Sequence, residues 1–276
     1  MPESRVSDPI LHIRKLNLRF QANVHRPRTW RDVFIQLLKA PLSVFVSGTA
    51  PLYACRDISL IVHRADRVGL LGVNGAGKTT LCRCIAGYYR PTSGHIEKNG
   101  EIRALFDAAV GIQPELTGRE NAALLAELLY AGDKDIKSLI EEALHFSELG
   151  PSLDMPFKFY SRGMQTRLGL SLSAIRPSDL LILDEVFDGA DMFFRDKIST
   201  RMLDVVHQSG AVIFVSHSIE QIRKVCNRVV VLQNGFIIFD GSVEEGLACY
   251  ENLRPAVAVL ENANPSLARA EVAHGT

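Results

Sequence analysis

Nine residues restrict this chain more than any others: Gly72-Val73-Asn74-Gly75-Ala76-Gly77-Lys78-Thr79-Thr80. They follow a short apolar run of strand character, Val68-Gly69-Leu70-Leu71, and precede an apolar run at 81–86 that suits a helix. A G-x-x-x-x-G-K-[ST] segment between a strand and a helix is a phosphate-binding loop. Its glycines let successive backbone N–H groups curl round an anion, because no Cβ stands in the way. The helix start adds its positive end. Lys78 can reach the β- and γ-phosphates of a nucleotide. Thr79 can offer its hydroxyl to Mg²⁺, a hard ion that keeps oxygen ligands. All nine residues are therefore expected to line a nucleotide site.

A second segment fits the first. Leu180-Leu181-Ile182-Leu183-Asp184-Glu185 is an apolar strand that ends in two acids. Alone, such a pair could be solvated carboxylates. Beside a phosphate-binding loop, an acid at the tip of a neighbouring strand is what holds Mg²⁺, and Asp184 takes that place. Glu185, one residue on, is positioned to polarise an attacking water as general base.

Composition narrows the rest. The 276 residues, 47% hydrophobic and 22% charged, describe a globular chain of one large or two small domains. Lys plus Arg and Asp plus Glu both number 31, and zero net charge argues against a nucleic-acid partner. No apolar stretch approaches the roughly 18 residues needed to cross a bilayer, and no signal-peptide core follows the N-terminus. The five scattered cysteines suit a reducing compartment.

Periodicity supplies the order of elements. Residues 10–20 alternate like a strand. Over 29–40, Trp30, Val33, Phe34, Leu37 and Leu38 share one helical face, Thr29 can cap its start and Pro41 stops it. The region from Thr117 to Ile175 is mainly helical, with stripes at Leu124, Leu125, Leu128 and Leu129 and at Leu139, Ile140, Ala143 and Leu144. Continuous apolar runs at 180–183, 212–215 and 229–232 suit strands buried on both faces. Asn234-Gly235 marks a hairpin. Ser242 with Glu245 reads as a capping box for a final short helix, and from Pro255 a disordered tail is expected. The plan is one α/β unit over 1–254 with a helical insertion at about 112–177.

Over roughly 8–253 the sequence resembles the ATPase subunit of ABC transporters. Tyr160-Ser161-Arg162-Gly163-Met164 stands where that family carries L-S-G-G-Q. The Y-S-x-G-M form is similar to the subset that exports surface polysaccharides such as O-antigen, capsule or teichoic acid. Pro114-Glu115-Leu116-Thr117-Gly118-Arg119-Glu120-Asn121 and the stretch from Glu185 through Asp191 to Phe193-Phe194-Arg195 resemble the same subset. The resemblance implies a P-loop NTPase core of ABC ATPase type: a mainly parallel sheet, an antiparallel β subdomain and an inserted α-helical subdomain. It implies ATP and Mg²⁺ as cofactors and transport-coupled ATP hydrolysis. It implies a homodimer in which Ser161 and Gly163 of one copy close over the nucleotide of the other.

The same resemblance gives Tyr53 the role of stacking on adenine, His217 a place near the γ-phosphate and Asp191 a place in the loop that crosses the dimer interface. It implies a separate integral-membrane permease as partner and a peripheral location on the cytoplasmic face of the membrane. The 29–40 helix corresponds to an extension that either contacts the permease or packs on the chain's own core. About twenty residues after Leu253 are too few for the carbohydrate-binding domain of some O-antigen exporters. Two positions depart from the family. Arg162 replaces a small residue, and no glutamine follows the strand at 101–106, where Asp107 or Gln113 is the candidate. The rival functions are a soluble ABC-type ATPase acting on ribosomes or DNA, and a non-hydrolysing scaffold.

Overall fold

The computed structural model describes residues 8–21, 51–106, 111–130, 132–173, 176–184, 192–216 and 218–263. In chain order the elements are β1 (Leu11–Gln21), β2 (Pro51–Val62), β3 (Arg67–Leu71), α1 (Lys78–Ala86), β4 (Ser93–Lys98), β5 (Ile102–Leu105), α2 (Gly118–Leu129) and α3 (Ile136–Ser147). Two 3₁₀ turns (Gly150–Asp154 and Phe157–Phe159) follow, then α4 (Arg162–Ser173), β6 (Leu180–Asp184), α5 (Met192–Gln208), β7 (Ala211–Val215), α6 (Ile219–Val225), β8 (Arg228–Gln233), β9 (Phe236–Gly241) and α7 (Val243–Ala263). The predicted 29–40 helix lies outside the described residues.

Two sheets organise these elements. The larger runs β5-β6-β7-β3-β8-β9, parallel except for the β8–β9 hairpin. Its apolar runs are continuous because both faces are covered. Leu180 and Ile182 of β6 pack into one core, while Leu181 and Leu183 pack into the other. The smaller sheet is antiparallel, in the order β2-β1-β4. In β1 the inward positions change parity, from Leu11 and Ile13 to Leu16 and Leu18. Lys15, at φ 46°, absorbs the extra residue at a register shift, as a β-bulge does.

The insertion has a core of its own. Ala122, Leu125 and Ala126 of α2 meet Leu139, Ala143 and Leu144 of α3 and Leu168 and Leu172 of α4. The α3 stripe is as the sequence predicts. The α2 stripe is rotated: Ala122 and Ala126 are buried, and Leu128 is 63% exposed. Small alanines let α2 approach its neighbours closely, and the bulkier leucine is left at the edge.

The last helix corrects a second expectation. α7 is not short, and residues 255–263 are not a structureless tail, since the helix continues past Pro255 to Ala263. Ala256, Ala258, Leu260, Glu261 and Ala263 are strong helix formers, which outweighs one proline within a 21-residue helix. Ser242 Oγ donates to Glu245 Oε2 at 2.6 Å at its start.

Candidate nucleotide site

The phosphate-binding loop links β3 to α1, and its shape depends on glycine at three points. Gly72, Gly75 and Gly77 have φ values of 154°, 72° and 102°. A Cβ on Gly72 would lie 2.5 Å from the Leu232 carbonyl oxygen, and one on Gly77 would overlap the carbonyl oxygen of Ala54. The loop is thus pressed against β2 and β8. The β8–β9 turn holds it from the other side. Gly235 N–H donates to the Ala76 carbonyl at 3.1 Å, and Arg56 N–H donates to the Gly235 carbonyl at 2.8 Å. Asn234 and Gly235 take φ values of 49° and 83°, the left-handed pair of a type I′ turn, as the dipeptide predicts.

Gly77 caps α1 without a side-chain bond, so the first-turn N–H groups face the loop's concavity. Lys78 is 8% exposed, and its Nζ donates to the carbonyls of Gly72 at 2.8 Å and Val73 at 3.3 Å. A cleft of about 450 Å³ opens above, between Phe20 and Tyr53 on one side and the loop from Asn74 to Thr80 on the other. The Arg56 guanidinium carbon sits 5.1 Å from the Tyr53 ring centroid and 5.6 Å from that of Phe236. Phe20 enters the site unforeseen. Register shifts between Ile13 and Arg19 break the simple alternation of β1 ahead of it.

Asp184 ends β6 and is 4% exposed. β6 is not the strand next to β3, contrary to the expectation; β7 lies between them. All three are parallel, so their C-terminal ends share one edge of the sheet, and Asp184 pairs in register with Val215 of β7. Burial pushes the Cys82 thiol of α1 well up, with further contributions from Asp184 in the same direction and from Lys78 in the opposite one. The loop that carries Lys78 and the β6 end that carries Asp184 therefore leave the sheet at the same edge. Thr79 hydroxyl and Asp184 carboxylate are hard oxygen donors suited to Mg²⁺. Among the described residues no three His, Cys, Asp or Glu side chains group as metal ligands.

The signature lies in the insertion. Ser161 is exposed, and its Oγ accepts from Met164 N–H at 3.3 Å, as an N-cap of α4 does. Arg162 is exposed, and a Cβ on Gly163 would meet, among the described residues, only Ser161 Oγ at 4.0 Å. None of the three lines the cleft of the loop. Gln113 is exposed and held by its backbone: its N–H donates to Asn121 Oδ1 at 2.7 Å, and its carbonyl accepts from Asn121 Nδ2 at 2.9 Å. Asp107, Glu185, Asp191 and His217 lie outside the described residues.

Residues 55–188 match the ABC transporter family. An O-antigen export system ATP-binding protein, RfbB of Klebsiella pneumoniae, is 36% identical over 198 residues, which are 72% of this chain and 80% of that one. The chain belongs to the ABC transporter ATP-binding family. A second member, the teichoic acids export ATP-binding protein TagH of Enterococcus faecalis, is 37% identical over 201 residues, 73% of this chain. The match spans less than half of that relative's length, 45%. A solved ABC structure, a dimeric post-hydrolysis ATP-binding cassette bound to ADP and Pi, superposes with a TM-score of 0.64 at 17% identity. It covers 84% of this chain and 98% of that one, and shares the ABC ATPase fold. No described helix is long and apolar enough to cross a membrane.

Proposed function

We propose that this chain is the ATP-hydrolysing subunit of an exporter of surface polysaccharide, acting as a homodimer on a separate membrane permease at the cytoplasmic face of the membrane. The observation that carries the reading is the convergence of the glycine-built loop, buried Lys78 and buried Asp184 at one sheet edge. The export assignment is supported by relatives named for O-antigen and teichoic acid export.

The loop geometry supports the phosphate-binding roles, and the family resemblance supplies those of Glu185, His217, Asp191, Ser161 and Gly163. Loop amides and the α1 start bind phosphate oxygens, and Lys78 exchanges its bonds to the Gly72 and Val73 carbonyls for bonds to phosphate. Tyr53 offers a ring face to adenine, with the Arg56 guanidinium near both its ring and that of Phe236. Thr79 and Asp184 would hold Mg²⁺, which supplies charge neutralisation at the phosphates. Glu185 polarises the attacking water, and His217 supports it. Ser161, Gly163 and the α4 start of a second copy complete the site, with Asp191 at the interface between copies, so nucleotide shifts the population toward the closed pair. The test is direct: purified protein should hydrolyse ATP, and co-expression with its membrane partner should bring it to the membrane fraction. Recovery with nucleic acid or ribosomes instead would sink the export reading.

A further inference from the structure

The segment Pro114 to Asn121 matched the polysaccharide subset in sequence but has no role in the nucleotide chemistry. In the structure it is zipped onto the residues just ahead of the signature. Lys158 N–H donates to the Pro114 carbonyl at 2.9 Å, Phe157 N–H to that of Leu116 at 2.8 Å, and Gly118 N–H to that of Met155 at 3.3 Å. Asn121, fully buried, fastens the near side, because its Nδ2 donates to the Gln113, Leu116 and Thr117 carbonyls. Thr117 and Glu120 close a capping box over the start of α2.

The zipper ends in a slot of one residue's shape. The Tyr160 side chain, 5% exposed, passes over Gly118, and its hydroxyl donates to the Ser152 carbonyl at 2.7 Å. A Cβ on Gly118 would overlap that hydroxyl and stand 2.8 Å from the ring carbon that bears it. Gly118 is at an ordinary helical φ, so the absence of a side chain there serves the contact and not the backbone. Tyr160 is covalently next to Ser161. Its carbonyl accepts from Gln165 Nε2 at 3.3 Å, and its N–H donates to the Phe157 carbonyl at 2.9 Å. The ring therefore anchors the point from which α4 departs.

We propose that Tyr160 is a positioning residue, whose hydroxyl, seated over Gly118, fixes Ser161 and the start of α4 in the orientation that a nucleotide on a second copy requires. This rests on the dimeric reading above. It makes Tyr160 and Gly118 an interdependent pair: an alanine at 118 pushes the hydroxyl out, and a phenylalanine at 160 removes that closest clash, leaving the smaller one with the ring carbon.

The experiment is a double-variant cycle on the full chain with Tyr160→Phe, Gly118→Ala and both together. Hydrogen exchange is read in peptides spanning residues 156–168 and 78–86, beside ATP turnover and binding of a fluorescent ATP analogue. Tyr160→Phe should raise exchange in 156–168 and lower kcat about fivefold, as loss of one buried hydrogen bond implies. Analogue affinity and exchange in 78–86 should not change. Gly118→Ala should do more harm alone than when Tyr160→Phe accompanies it. Strict additivity of the two changes would overturn the proposal. So would raised exchange with unaltered kcat, which would make the anchor structural only. Wild-type protein that neither hydrolyses ATP nor pairs would defeat the functional reading instead, and the exchange cycle would still decide the anchor.

Discussion

Lys78 Nζ lies 2.8 Å from the carbonyl oxygen of Gly72, six residues earlier, so the lysine folds back along its own loop. The bond closes the loop into a ring. A phosphate entering it exchanges a carbonyl for a charged oxygen at the same ammonium, which is the stronger partner. Lys78→Ala should therefore weaken ATP binding on the order of 100-fold, the effect of losing a charge-assisted contact, while the chain stays folded. Titration with a fluorescent nucleotide checks it, and near-normal affinity would remove Lys78 from the site.

Gly77 is the tightest point of the loop. With φ at 102° and the Ala54 carbonyl where a Cβ would go, Gly77→Ala must move either the loop or β2. The expected cost is about 2 kcal/mol or more in urea unfolding, together with loss of nucleotide binding. A variant of unaltered midpoint would show that the loop adapts without cost.

Tyr53 and Arg56 give a graded pair. Tyr53→Ala should lower ATP affinity about tenfold through lost stacking, and Arg56→Ala only about threefold, since a partly exposed cation–π contact is weak. Equal effects would mean that Arg56 touches nucleotide directly.

The thiols make a prediction in pH. Burial pushes Cys55 and Cys226 up to about 12 and Cys84 up to about 11. These groups stay protonated in the folded chain after the unfolded chain has lost its protons, so their contribution is complete below about pH 9 and disappears as pH rises toward 11–12. Stability should fall over that alkaline window, and Cys55→Ala should flatten the fall. At pH 8, a thiol reagent should label half-buried Cys249 first and the four buried cysteines only on denaturation. Rapid native labelling of Cys55 would contradict the packing under the loop.

What the sequence made legible follows from the range of each signal. The loop, the three continuous strands and the Asn234-Gly235 turn are local patterns, and each is found where its pattern lies. The position of β7 between β3 and β6 is not local, since strand order arises from crossovers that leave no mark on any one strand. Phe20 reaches the cleft beyond several register shifts between Ile13 and Arg19, which simple alternation does not show. α7 outran Pro255 because the alanines and leucine beyond it favour helix, although the stretch shows no clear apolar period. The Gly118–Tyr160 slot joins residues 42 positions apart, and only the assembled insertion shows why a glycine begins α2.

The proposed ATP-driven pairing of two copies engages Lys78, Asp184 and Ser161 and ends with hydrolysis supported by Glu185. It is tested most directly by light scattering of Glu185→Gln with and without MgATP, beside the same variant carrying Ser161→Arg. MgATP should double the mass of Glu185→Gln and hold it doubled, Ser161→Arg should abolish the doubling, and turnover should be slow. A Glu185→Gln protein that hydrolyses ATP at the wild-type rate, or that binds ATP and stays a monomer, would contradict it.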